Sequence, residues 1–178
     1  MNPKIIHHGA KHGVTGSCHQ LFIDGERSVL IDCGLFQGAE TAPDGSAGAD
    51  RLDIPFAVKD VGALVLTHVH IDHCGRLPWL LAAGFKGPIF CSEPSARLLP
   101  TVLADAFQIS VTRDRMLVER YLQMVEARLR PLPYRHWHTL YRSADATCRV
   151  RLQRAGHILG SVYVEFELSG KAWPQRRR

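Results

Sequence analysis

The seven residues Thr67-His68-Val69-His70-Ile71-Asp72-His73 constrain this chain more than any other stretch. Three imidazoles and a carboxylate follow directly on the apolar run Ala63–Leu66. A short continuous apolar run reads as a strand buried on both faces, inside a sheet whose crossovers are helical. Ligand-type side chains at the exit of such a strand point to a site built at a sheet edge. Two residues apart on an extended exit, His68 and His70 direct their rings to one side. A further histidine sits in a glycine-framed loop, Ala155-Gly156-His157-Ile158-Leu159-Gly160-Ser161, ahead of another strand pattern.

The remaining patterns alternate between strand and helix. Lys4–His7, Cys18–Ile23 and Ser28–Ile31 read as strands, with Asp24-Gly25-Glu26-Arg27 as a hairpin turn. Residues 38–52, rich in glycine and holding Pro43, read as a mobile loop. Leu77–Ala83 reads as a short helix, with Pro78 in its first turn and Gly84 as its stop. Pro88–Cys91 is another buried strand. From Glu93 to Arg130 the spacing is helical, through Leu98, Val102, Ala106 and Ile109, then Leu117, Tyr121, Met124, Val125 and Leu129. Thr112 is the expected N-cap within it and Pro131 the expected stop. Cys148–Leu152 and Val162–Leu168 return to strand, and Leu168-Ser169-Gly170 resembles a hairpin turn. The predicted class is α/β.

At 46% hydrophobic and 22% charged, the composition excludes a wholly disordered chain. The net charge is +5, but three of the positive charges are Arg176, Arg177 and Arg178. The body is therefore only mildly basic, which permits a polyanionic partner without arguing for one. The five cysteines form no CxxC pair, which excludes a disulfide scaffold or a cysteine-rich zinc knuckle and fits a reducing, cytoplasmic setting. No apolar run approaches the ~20 residues of a membrane span, so no membrane partner is expected.

Zinc favours nitrogen and sulfur ligands, and catalytic sites keep an open position beside about three protein ligands. His68, His70 and His157 are the expected ligands of one ion. Asp72 and His73, at the turn into the following helix, face a second ion, and paired ions of this kind clamp an in-line displacement. Asp32 closes an apolar strand. It either caps a turn or orients a ligand histidine through that ring's other nitrogen. His136 and His138 form another HxH pair without a preceding apolar strand, and read as surface residues. His7, His8 and His12 read the same way, although the glycine-rich loop after them can carry one toward the site. Cys74 reads as packing.

At these residues the chain resembles the metallo-β-lactamase superfamily, and within it the β-CASP branch of RNA-processing nucleases. Thr67 to His73 matches the family's Thr-His-x-His-x-Asp-His, with Gly75, Leu77 and Pro78 following. Val14-Thr15-Gly16-Ser17-Cys18, Leu30-Ile31-Asp32-Cys33-Gly34-Leu35-Phe36-Gln37-Gly38, Arg130-Pro131-Leu132-Pro133-Tyr134 and Ala155–Ser161 resemble further branch motifs in order. The resemblance implies an αββα sandwich of mixed sheets with flanking helices. It implies zinc at two sites, held by His68, His70 and His157 and by Asp72 and His73, with the last two in catalytic roles. It also implies metal-activated water attacking an RNA phosphodiester.

After Ser169-Gly170 the family continues to a Ser-Gly-Asp motif, which Lys171–Arg178 does not contain. The expectation is a partial domain over residues 1–170 and an atypical basic tail over 171–178. The β-CASP insertion and the C-terminal half are absent on this reading, the second metal site is incomplete, and turnover is weak or nil. A homodimer through the open sheet edge is the expected self-association. The alternatives are another ester or thioester hydrolase of the same fold, or a metal-binding fragment without turnover.

Overall fold

The computed structural model describes residues 4–11, 13–37, 53–110 and 113–171. The loop expected at 38–52, His12, Thr112 and most of the basic tail lie outside the described residues.

Six strands form the first sheet, in the order β1 (Lys4–His7), β2 (His19–Phe22), β3 (Ser28–Ile31), β4 (Val61–Val65), β5 (Ile89–Ser92) and β6 (Leu129–Leu132). The first three are antiparallel neighbours, whereas β3 to β6 pair in parallel. Parallel neighbours require crossovers. The described helices of these crossovers are α1 (Ile71–Cys74) and α2 (Leu77–Ala82), between β4 and β5, and α3 (Glu93–Ser110) and α4 (Arg115–Glu126), between β5 and β6. The second sheet is an antiparallel meander of β7 (His138–Arg142), β8 (Thr147–Arg154) and β9 (Val162–Ser169).

Burial follows the pleat. Leu30, Leu64, Leu66 and Cys91 pack against Leu77, Leu80, Leu99, Leu103, Tyr121 and Val125 of the helices. The opposite face of the sheet, Val29, Ala63, Val65, Phe90 and Leu132, meets Cys148, Val150, Leu152 and Val162 of the second sheet. The described layers are thus helix, sheet and sheet. Along β8 the inward residues Cys148, Val150 and Leu152 are buried and the residues between them are not, a clean period of two.

The long helical region between Glu93 and Arg130 is divided. Asp114 is the N-cap of α4, its carboxylate accepting from Met116 N at 2.9 Å. The expected stop at Pro131 is also corrected: Pro131 lies inside β6, opposite Cys91. Among the described residues that strand ends the sheet and pairs on one side only, where a missing N–H is tolerated. The helix instead ends at Glu126. Two short strands, β6 and β7, carry too little alternation to be read from sequence.

Because β3 to β6 run in parallel, their C-terminal ends share one edge of the sheet. Asp32 follows β3, Thr67 follows β4, Ser92 ends β5, and Tyr134 stands just beyond β6. The turn between β8 and β9 returns to this edge through Val162 N donating to Thr67 O at 2.9 Å.

Candidate metal centre

Three imidazoles from two loops converge at that edge. The ligand atoms of His68, His70 and His157 all lie within 4.8 Å of one another. His68 Nε2 is 3.2 Å and His157 Nε2 is 3.3 Å from His70 Nδ1. His68 is buried, whereas His70 and His157 are exposed. Burial, reinforced by the facing imidazole of His73, pushes the His68 imidazole down to about 4, so it is neutral and free to donate a lone pair at physiological pH.

Asp32 organises the other side. It adopts a left-handed backbone conformation, φ 60°, which aspartate tolerates better than most residues. Its buried carboxylate accepts from Thr67 N at 2.8 Å, Thr67 Oγ1 at 2.9 Å and Ser17 Oγ at 3.1 Å. His73 Nδ1 is 2.7 Å away. Burial disfavours the His73 imidazolium, but the hydrogen bond to Asp32 and the charges of Asp32 and Asp72 outweigh it and raise the His73 pKa. With Nδ1 on Asp32, the His73 Nε2 faces Asp72 Oδ2 at 3.6 Å. Gly34 makes this arrangement possible, since a Cβ there would overlap the Asp72 carbonyl.

The loop carrying His157 is held from below. Ser161 Oγ accepts from His157 N at 3.0 Å and Ile158 N at 3.1 Å. Ser92 and Ser95, both fully buried, direct their hydroxyls at Gly160 O, at 2.6 and 3.1 Å. Gly160 has φ +88° and its backbone lies against Ser95, so no side chain fits there. Sequence reading passed over these serines, since a buried serine carries no signal until its partner is known.

A cleft of about 550 Å³ opens beside the centre, lined by His68, His73 and His157 and by apolar residues of β2 and β9 such as Leu21, Val164 and Phe166. His7 and His19 line it too, their Nδ1 atoms 2.9 Å apart. His8 stacks on Phe56 and bonds Gln20. His138 begins β7 with its ring against Phe90. Cys74 is buried, its Sγ 3.5 Å from Val69 O.

The donor set fits a divalent ion. Three nitrogens from two loops lie within 4.8 Å of one another, and the cleft opens beside them. Asp72 Oδ2 and His73 Nε2 lie 3.6 Å apart, and the His73 ring stands 3.9 Å from that of His68.

A helix–sheet–sheet sandwich with a histidine cluster at the sheet edge defines a metallo-β-lactamase fold. The sequence pattern of the metallo-beta-lactamase superfamily matches residues 13–171, and the chain belongs to that superfamily. It is 35% identical over 168 residues to Ribonuclease TTHA0252 of Thermus thermophilus, a match covering 94% of this chain and 36% of that protein. It is 30% identical over 158 residues to Transcription termination factor FttA of Cenarchaeum symbiosum, covering 88% of this chain and 24% of the relative. With the Integrator complex subunit 11 homolog of Dictyostelium discoideum the identity is 28% over 166 residues, 91% of this chain and 22% of the relative. These relatives are of the β-CASP branch. The chain spans between 22% and 36% of the length of these three proteins.

Solved structures bear on the fold alone. The metallo-beta-lactamase fold protein YhfI of Bacillus subtilis superposes with a TM-score of 0.52 at 16% identity, over 94% of this chain and 58% of that one. A flavoprotein of Thermotoga maritima does so at 0.51 and 13%, over 94% and 40%. Among the described residues, no helix is long and apolar enough to cross a membrane.

Proposed function

We propose that this chain carries the metal centre of a zinc-dependent ribonuclease that hydrolyses RNA phosphodiesters. The observation that carries the reading is the convergence of His68, His70 and His157, from loops 87 residues apart, in a chain whose relatives include a named ribonuclease. His68, His70 and His157 hold the first ion, and Asp72 and His73 face the second. Bound ions of this type lower the pKa of water toward neutrality and polarise a phosphoryl oxygen.

The protein's own part is orientation. Asp32 takes the Nδ1 proton of His73 in a hydrogen bond and so leaves Nε2 directed at the centre. Thr67 fixes Asp32 through both its N–H and its hydroxyl. Ser161 and the Ser92–Ser95 pair set the height of His157. Asp72 and His73 stand beside the reacting group and are the residues to accept or deliver protons there. With three ligands for one ion and two for the other among the described residues, turnover by this chain alone is expected to be slow.

The test is zinc stoichiometry on the purified chain, with His68→Ala beside it, followed by cleavage of a labelled RNA. About one tightly bound zinc per chain, lost in the variant, with slow cleavage that also disappears, supports the reading. A chain that folds but binds no zinc overturns it.

A further inference from the structure

We propose that Arg154, braced on Tyr134, binds a backbone phosphate of a single-stranded nucleic acid beside the metal centre and so positions the strand. The inference rests on the reading of the centre as a ribonuclease site. The observation behind it is how charge is distributed along β8. That strand carries Arg149, Arg151 and Arg154. The first two stand opposite acids of β9. Arg149 Nη1 donates to Glu167 Oε1 at 3.0 Å, and Arg151 Nε to Glu165 Oε2 at 2.6 Å. The register then places Tyr163 opposite Gln153 and Val162 opposite Arg154. No acid answers the third arginine, and Arg154 forms no ion pair with any acid among the described residues. The uncompensated charge of the strand thus sits at the end that enters the His157 loop.

The side chain is also prepared for an anion. Arg154 is exposed, and its guanidinium carbon lies 4.8 Å from the centroid of the half-buried Tyr134 ring. Stacking on an aromatic face restrains a guanidinium while leaving its in-plane N–H donors outward, in the fork that matches two phosphate oxygens. Arg149 and Arg151 lie over Trp137 in the same way, but the charge of each is already paired with a glutamate. Placement agrees with this. Tyr134 follows β6, and Arg135 N donates to Leu152 O at 2.9 Å, tying that segment to β8. With strands spaced ~4.8 Å apart, the end of β6 lies about 10 Å along the edge from the end of β4 and its histidines. A phosphate at Arg154 therefore belongs to the same strand as one at the metal centre, not to the reacting group itself.

The experiment is a fluorescence-anisotropy titration of a labelled single-stranded oligouridine with metal-free protein in EDTA, repeated across salt concentrations. One phosphate contact contributes about 0.7 to the slope of log K against log salt for a single strand. Arg154→Gln should lower the slope by about that amount. Arg154→Lys should keep it, because the charge remains. Arg149→Gln, which removes a compensated charge of the same strand, should leave it unchanged. Matching thermal melts verify that the variants fold. An unchanged slope in Arg154→Gln, an equal loss in Arg149→Gln, or no binding by the parent chain overturns the assignment. Cleavage by the zinc-loaded chain is scored apart. RNA that binds through Arg154 but is never cut sinks the ribonuclease reading alone, and RNA that is cut with no effect of Arg154 sinks this one alone.

Discussion

The serine pair under the His157 loop supports a quantitative prediction. Ser92 and Ser95 both aim their hydroxyls at the buried carbonyl of Gly160, at 2.6 and 3.1 Å. Either hydroxyl alone can satisfy that oxygen. In Ser92→Ala, Ser95 still donates, and the loss is one ordinary hydrogen bond plus the weak acceptor for Ser95 N, about 1 kcal/mol. Ser95→Ala should cost about as much or less. In the double variant the carbonyl is buried with no donor, and the desolvation penalty of about 1–3 kcal/mol appears in full. The double variant should therefore lose about 3–4 kcal/mol, exceeding the sum of the singles by at least about 1 kcal/mol, a coupling expected of groups sharing one partner. In a domain of this size that corresponds to a fall in Tm of roughly 6–16 °C.

Urea unfolding of the metal-free protein measures the cycle. A chelator competition then reads zinc affinity, which should fall by about 10–100-fold in the double variant as the His157 loop loses its footing. Strict additivity, with each single costing as much as half the double, would refute the idea that the two hydroxyls are redundant donors. Unchanged zinc affinity in a destabilised double variant would show that the serines hold the core and not the histidine.

Other outcomes follow from the same structure. Tyr121 stacks on Phe107, and its buried hydroxyl has no hydrogen-bond partner among the described residues; Tyr121→Phe should be neutral or raise stability by up to about 1 kcal/mol, and a loss above 1 kcal/mol in denaturant titration would contradict this. Burial pushes the Cys148 thiol up to about 12. An acid whose pKa is raised by folding favours the folded state below its unfolded pKa. That advantage is lost as pH climbs from about 8.5 toward the folded value, by up to about 1.4 kcal/mol per pH unit. Melting curves between pH 8 and 10 should thus flatten in Cys148→Ala relative to the parent, and parallel curves would count against it. Gly34→Ala should cost more than about 3 kcal/mol or prevent folding, since its Cβ meets the Asp72 carbonyl; a near-native melt would refute that close approach.

The histidine cluster was legible in the chain because most of its residues are dense and local. His68, His70, Asp72 and His73 fall on one strand exit, and His157 is framed by glycines whose only evident use is a tight loop. The strands with strong apolar character, β3, β4, β5, β8 and β9, were legible to within two residues at each end. The break between the two long helices was legible to within two residues of its N-cap, which is Asp114, whereas the strand at Pro131 was not legible. Leu129 continues a helical spacing in sequence, and only the free pairing edge of β5 turns Leu129–Leu132 into a strand.

What the sequence determined by itself is the set of metal-type ligands and the alternation of buried strands and helices, because both are written in nearby residues. What only the tertiary structure decided is which distant groups meet. Asp32 reaches His73 across 41 residues, Ser92 reaches Gly160 across 68, and the register of β8 against β9 sets Arg154 opposite Val162 instead of an acid. Those outcomes depend on parallel strands sharing one edge and on pairing register, and neither is encoded in any short stretch of the chain.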